Sequence, residues 1–382
     1  MLVYFRVVCL FLLIHPLSQT FPVKMGLKRK TTSKNPPILS HEFVIQNHAD
    51  IFSCVAMVFI IGLMVQATSP LAYMFIGLSH NASAEVGPDA KPLDNGPILY
   101  TYGWKDACVV FFYFLIIIIL HAIWQEYILD KVTRKLHLSK LKHNKFNESG
   151  QLAVFYLLSF LWGLDIIIFN KFILFSGKFN LQHFFTMGRI STLSYGFQYK
   201  FFFLSQIAYW LHCYPELYFQ KTKREEMGKR IRYATAGLVF SAAAYFLNFN
   251  RVGICLLMLH HLSEGFFHVA RLIDFCDKEE KEAKVRIGYL VSNVVFVLAR
   301  LGSFILSFLT FWYGLALMRL GALVSVGIVQ GYLMFHFITD QLKQFREWRP
   351  TIVKKAPAKK ASKPKKKDVK FSLTKIKHDR SF

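Results

Sequence analysis

The residues that could do chemistry here are polar and ionisable side chains set at helical spacing inside apolar stretches. The run Tyr209-Trp-Leu-His-Cys-Tyr-Pro-Glu-Leu-Tyr-Phe-Gln220 closes a long apolar stretch that begins near Phe197, and the stretch carries Gln206, His212, Pro215 and Glu216. His212 and Glu216 are four apart and share one helix face. Pro215 lacks an N–H and crowds the carbonyl of Leu211, so a kink is expected beside the pair. In hydrocarbon each such group must be satisfied within protein or a wet cavity. The pair therefore reads either as polar glue between helices or as the lining of an intramembrane pocket.

A second set is His260, His261, Glu264 and His268. His260, Glu264 and His268 step by four and line one face. Three chemistries fit them: two ligands and a carboxylate for a metal, acid–base groups titrating near neutral pH, or polar contacts to a lipid headgroup or a passing peptide. His121, Glu126 and Asp165 also fall within apolar stretches and are candidates to converge with Gln206, His212 and Glu216. No nucleotide-binding loop, Ser-His-Asp order or H-E-x-x-H site is present.

The elements that must position these residues are membrane spans. The chain has 382 residues, of which 54% are hydrophobic and only 18% charged, and 39 are Phe. Its mean hydropathy is +0.33. Apolar runs of about 20 residues recur along it, which excludes an ordinary soluble domain. Eight spans are expected, near 51–78, 107–129, 151–169, 197–219, 234–249, 252–273, 287–313 and 320–339. The fold class is thus all-α, a polytopic bundle of about eight transmembrane helices. Loops are expected at 84–103, rich in Gly and Pro, and in the mixed region 170–196. The six cysteines, none in C-x-x-C spacing and most inside apolar runs, read as small packing residues rather than a disulfide framework.

The net charge of +24 is carried mainly by loops. With eight spans, 35 of the 47 Lys and Arg residues fall on one side of the membrane. The positive-inside rule then places both termini in the cytosol and Asn81 in the lumen. Asn81-Ala-Ser83 is a glycosylation acceptor, and Asn147-Glu-Ser149 a second sequon expected to stay unused. Residues 1–24 resemble a weak signal segment, but cleavage after them would strand Lys28, Arg29, Lys30 and Lys34 in the lumen. Met25 is therefore the expected start, with 1–24 an upstream extension. From Gln341 the chain reads as a basic, disordered tail ending in Lys-rich sequence. That tail suits anionic headgroups, RNA phosphates or plain solubility.

Four stretches resemble a known family. Pro36-Pro-Ile-Leu-Ser-His-Glu-Phe-Val-Ile-Gln-Asn-His-Ala-Asp50, His121-Ala-Ile-Trp-Gln-Glu-Tyr-Ile-Leu-Asp-Lys131, Lys145-Phe-Asn-Glu-Ser-Gly-Gln151 and the segment Tyr209 to Thr222 look like the translocating chain-associating membrane proteins, TRAM. The match runs from about Met25 to the tail; 84–100 and 170–196 look divergent. The resemblance implies an endoplasmic reticulum protein beside the Sec translocon that assists nascent chains with weak signal sequences. It also implies a TLC domain, here at 117–326, shared with ceramide synthases. The remaining chain divides into 25–50 as a cytosolic segment, 51–116 as a transmembrane region with a lumenal loop, 327–341 as the end of the last span, and 342–382 as tail.

The synthase relation supplies an alternative, a lipid acyltransferase or a lipid-binding or sensing protein. The synthase pattern carries a His pair shortly after its Tyr-Trp segment. Tyr209-Trp210 is present, but Lys229-Arg-Ile-Arg-Tyr-Ala-Thr-Ala236 has no His pair near Ile231–Thr235. A site without that base should not run the acyl transfer. The domain is therefore read as non-catalytic, with no catalytic residue, metal or cofactor assigned. Gln206, His212, Glu216, His260, Glu264 and His268 are expected to line a cavity contacting lipid or nascent chain. Expected partners are the Sec translocon, signal sequences, membrane lipids, and the ribosome or anionic lipid through the basic tail; DNA is not expected. Glycan analysis checks the orientation: Asn81→Gln should abolish an endoglycosidase-sensitive shift, whereas Asn147→Gln should leave mobility unchanged.

Overall fold

The structure is a computed structural model. It describes residues 37, 40–81, 99–169, 195–222, 224–247, 250–277, 282–313 and 316–355. The expectations for 1–24, most of the loop 84–103, most of 170–196 and the end of the tail lie outside the described residues. Contacts divide the chain into two compact units, Met1–Gln46 and Asn47–Phe382. The second holds the cavity and the polar clusters described below.

Helices occupy all eight expected span positions. α1 (His41–Met64) follows Pro37 and is capped by Ser40, whose Oγ accepts from Phe43 N at 3.2 Å. It contains a non-helical residue, Asn47, at φ −117° and ψ 18°. The first expected span is divided. The chain turns after Met64, where Thr68 Oγ donates to Gly62 O at 2.8 Å, and α2 (Ser69–Ile76) restarts with Pro70 in its first turn. A two-residue strand β1 (Leu99–Tyr100) precedes α3 (Asp106–Trp124). α3 passes through a π-helical turn at Gln125–Leu129 into α4 (Asp130–Leu136). α5 (Lys140–Phe169) follows. β2 (Tyr195–Gly196) pairs antiparallel with β1, Leu99 facing Gly196, and leads directly into α6 (Phe197–Phe219). Then come α7 (Arg224–Phe246), α8 (Asn250–Cys276), α9 (Glu282–Tyr313) and α10 (Ala316–Lys355).

Among the described residues, six helical stretches are long and apolar enough to cross a bilayer: His41–Met64, Asp106–Leu136, Lys142–Ile168, Arg251–Cys276, Ala283–Thr310 and Leu323–Lys343. α6 and α7 fall below that apolarity because they carry Gln206, His212, Pro215 and Glu216 in one and six charges between Arg224 and Arg232 in the other. The protein is a polytopic all-α membrane protein. One boundary needs correction. Order does not stop at Gln341, because α10 continues to Lys355. Gln341-Leu-Lys-Gln-Phe-Arg-Glu-Trp-Arg349 is rich in good helix formers, and the Lys-Pro-rich sequence that opposes a helix begins only after it.

α6 packs on α3 and α7, while α8 packs on α5 and α9, and α9 on α10. The main core sits where these groups meet. Phe202, Phe203, Leu204 and Ile207 of α6 pack with Val109, Ile166, Tyr245, Ile254 and Leu257. The approach of α6 to α7 is close: a Cβ on Gly237 would collide with the Trp210 indole. α9 turns Ile287, Leu290, Leu298, Phe304, Ile305 and Trp312 outward, the apolar face a lipid-exposed helix requires.

One polar cluster locks the end of the bundle at which α3 and α6 begin. Lys200 is fully buried, and its Nζ lies 2.7 Å from Asp106 Oδ1. The same ammonium donates to Ser79 O at 2.9 Å and Thr101 O at 2.7 Å. Asp106 Oδ2 accepts from Tyr245 OH at 2.7 Å and Gly103 N at 2.9 Å. Removing one member of a buried pair leaves the other charge uncompensated. Lys200→Met is therefore expected to destabilise the protein by about 3–5 kcal/mol. Thermal denaturation in detergent checks it, with Lys200→Met/Asp106→Leu expected to recover part of the loss.

Candidate functional site

The centre of the bundle holds a cavity of about 110 Å³, lined by side chains of α3, α5, α6, α7 and α8. That is room for several waters. Glu148, Gln151, Gln220, Arg230 and Arg271 stand toward its mouth, at the end of the bundle that carries the basic loops. His212 lies seven residues in from the end of α6, about 10 Å at helical rise.

Of the six residues assigned to the cavity from sequence, His212, Glu216, Glu264 and His268 line it. His121 joins them from α3. Gln206 does not: its amide donates to Ser159 Oγ at 3.0 Å and ties α6 to α5. His260 stands one hydrogen bond behind the wall. Glu126 is exposed and Asp165 half-buried, and neither reaches the cavity. α6 continues as helix through Pro215 to Phe219.

The polar residues form two chains. In the first, His212 Nδ1 lies 2.6 Å from Tyr209 O, and its Nε2 lies 2.9 Å from His121 Nδ1. His121 Nε2 lies 3.1 Å from Glu216 Oε1, which also accepts from Gln220 at 2.7 Å. In the second, Tyr233 OH sits 2.6 Å from Tyr156 OH and 3.0 Å from His260 Nε2. His260 Nδ1 accepts from Arg300 at 3.2 Å, and Arg300 donates to Ser263 Oγ at 2.7 Å and to Gln330 Oε1 at 3.2 Å. Glu264 lies 3.8 Å from the same guanidinium. His268 stacks on Tyr156 at 5.7 Å. The second chain joins α5, α7, α8, α9 and α10.

Sequence reasoning missed the members that complete this geometry. Arg300 and Lys200 could have been found, since each is a lone cation in an apolar stretch. Tyr156 and Tyr233 gave no signal, because tyrosines are common in membrane helices. The metal reading of α8 does not hold in the described residues. His260 is held by Tyr233 and the Arg300 cation, and Arg300 also lies beside Glu264.

The possible chemistry is narrow. Cys213 lines the cavity, 3.9 Å from His212 Nδ1, but that nitrogen is already committed to the closer carbonyl of Tyr209. It cannot take the thiol proton while that bond holds, so the pair is not an activated nucleophile. On α7 the Tyr233 hydroxyl is spent on two hydrogen bonds, to Tyr156 and His260.

These features define a multi-pass helical membrane protein built around a small polar cavity. The family model for the TLC domain matches residues 145–339. The chain is 38% identical to mouse translocating chain-associated membrane protein 2 over 360 residues, covering 88% of this chain and 92% of that protein. It is 39% identical to the human protein of the same name over 341 residues, covering 85% and 87%. The chain therefore belongs to the translocating chain-associated membrane protein family and carries a TLC domain.

The two hydrogen-bond chains carry an order of stability effects. Tyr233→Phe removes two hydrogen bonds and is expected to cost about 1–2 kcal/mol. Arg300→Met leaves Glu264 without its cation and is expected to cost about 3–5 kcal/mol. Denaturation midpoints of the two variants check this, and Tyr233→Phe should be the milder.

Proposed function

We propose that the protein assists translocation or insertion of nascent secretory and membrane proteins at the endoplasmic reticulum translocon. The carrying observation is the likeness over nearly the whole chain to proteins named for association with translocating chains. In this reading both termini and the basic loops are cytosolic, and Asn81 is lumenal and glycosylated. The TLC bundle acts without catalysis. Tyr233 in place of a His pair, and Cys213 without a free base, support that over the acyltransferase alternative.

The mechanism follows from the cost of polar groups in lipid. A charge at the centre of a spanning helix costs about 2.5–3.5 kcal/mol on the insertion scale. A cleft that offers His212, Glu216, Glu264 and His268 to a signal sequence or its polar flank lowers that cost along the path into the bilayer. In this reading the cleft stands beside the translocon's lateral exit, and the exposed apolar faces of the outer helices support a position in the surrounding lipid. The basic tail after α10 meets the ribosome or anionic headgroups, each cation near the surface contributing about 1 kcal/mol.

Site-specific photocrosslinking tests the reading. A stalled secretory chain with a probe in its signal sequence should yield a signal-dependent adduct with this protein in microsomes. Absence of the adduct, with normal expression and glycosylation, would shift the assignment to lipid chemistry, to be followed by acyl-CoA assays. His212→Leu/Glu216→Leu should reduce translocation of weak-signal substrates several-fold and spare strong-signal ones. Unchanged translocation of weak-signal substrates would remove the cavity from the mechanism.

A further inference from the structure

The chain His212–His121–Glu216 does not balance in protons. Tyr209 O can only accept, so His212 Nδ1, 2.6 Å away, carries the hydrogen. A neutral His212 then presents a bare Nε2. That atom lies 2.9 Å from His121 Nδ1, which must therefore carry the second hydrogen. A neutral His121 is left with a bare Nε2 facing Glu216 Oε1 at 3.1 Å. Two lone pairs thus face each other inside the bundle. Reversing the tautomers only moves the clash to Tyr209 O. His121 Nε2 makes no well-aligned hydrogen bond among the described residues, although it is buried. The set is short of one electrophile between His121 Nε2 and Glu216, a position that a proton or a metal cation fills.

We propose that His121, His212 and Glu216 form a binding site for one divalent transition-metal ion of the zinc class. One ligand atom from each of the three lies within 4.8 Å of the others. Two imidazoles and a carboxylate are a common zinc ligand set, with a fourth position left for water. The i, i+4 spacing puts His212 and Glu216 on one face of α6, and α3 supplies His121. Supporting hydrogen bonds of the kind metal ligands require are in place. Tyr209 O holds His212, and Gln220 holds Glu216 at 2.7 Å while itself accepting from Arg230 at 3.3 Å. The three donors line the cavity, which gives the ion a route in and the water a place. Binding would release the proton that otherwise bridges the histidines and the carboxylate. The site stands independently of the translocation reading: it is defined by donors alone.

The test uses the full-length protein, without a polyhistidine tag, purified in detergent, stripped with chelator and reloaded with Zn²⁺ or Co²⁺. About one ion per chain is expected by elemental analysis. X-ray absorption of the zinc-loaded protein should show imidazole scattering from two ligands, a readout that needs no variant. His121→Gln and Glu216→Gln should each weaken zinc binding at least tenfold while eluting as monodisperse, Asn81-glycosylated protein. Zinc should also raise the thermal midpoint of the parent protein and not that of Glu216→Gln. Binding well below one ion per chain, a spectrum without imidazole, or equal affinity in folded variants would each overturn the site. If both variants aggregate, the absorption spectrum of the parent protein decides.

Discussion

A buried ammonium is the constraint on which the packing of this bundle depends. Lys200 has no exposed surface, and hydrocarbon offers it no water. It is held by Asp106 and by two backbone carbonyls, Ser79 O just after α2 and Thr101 O between β1 and α3. Satisfying that single charge fixes the starts of α3 and α6, and through Tyr245 the end of α7. Those three helices form the wall on which His121, His212 and Tyr233 are mounted.

The two polar chains differ in character. The Tyr156–Tyr233–His260–Arg300 chain spans five helices, with Arg300 Nε left without a hydrogen-bond partner among the described residues, and it behaves as internal scaffolding. Arg300 is nearly buried and donates to groups on α8 and α10, which joins the outer pair of helices to the centre. The His212–His121–Glu216 chain opens on the cavity and has an acceptor facing an acceptor. Among the described residues it is one of several places where a buried polar atom lacks a hydrogen-bond partner, and it is the one in which three potential metal-ligand groups converge.

The lipid-facing and inward-facing surfaces divide cleanly. α9 exposes Leu, Ile, Phe and Trp on one side and buries Arg300, Ser303 and Ser307 on the other. Small hydroxyls on the buried face allow close approach and satisfy themselves on backbone carbonyls, as Ser303 does on Ala299 O at 2.8 Å. α6 is different, because it is wrapped by protein on most sides and so tolerates a polar content that no lipid-exposed helix could carry.

The sequence by itself determined the class of protein, the places of the eight long helices and the helix face shared by His212 and Glu216. Those follow from the length of apolar runs and from helical periodicity, both of which are local. It also located the polar residues of α8, because any ionisable group in an apolar run is conspicuous. Only the tertiary structure decided which of them meet. Gln206 left the cavity for Ser159, His260 withdrew behind Tyr233, and His121 crossed from α3 to join His212, 91 positions away in the chain. The rotation of each helix about its axis is set by its neighbours' packing, and no local pattern encodes it. The same reason hid the clamp: the pairing of Lys200 with Asp106 depends on how far one helix slides along another, which only the assembled bundle fixes.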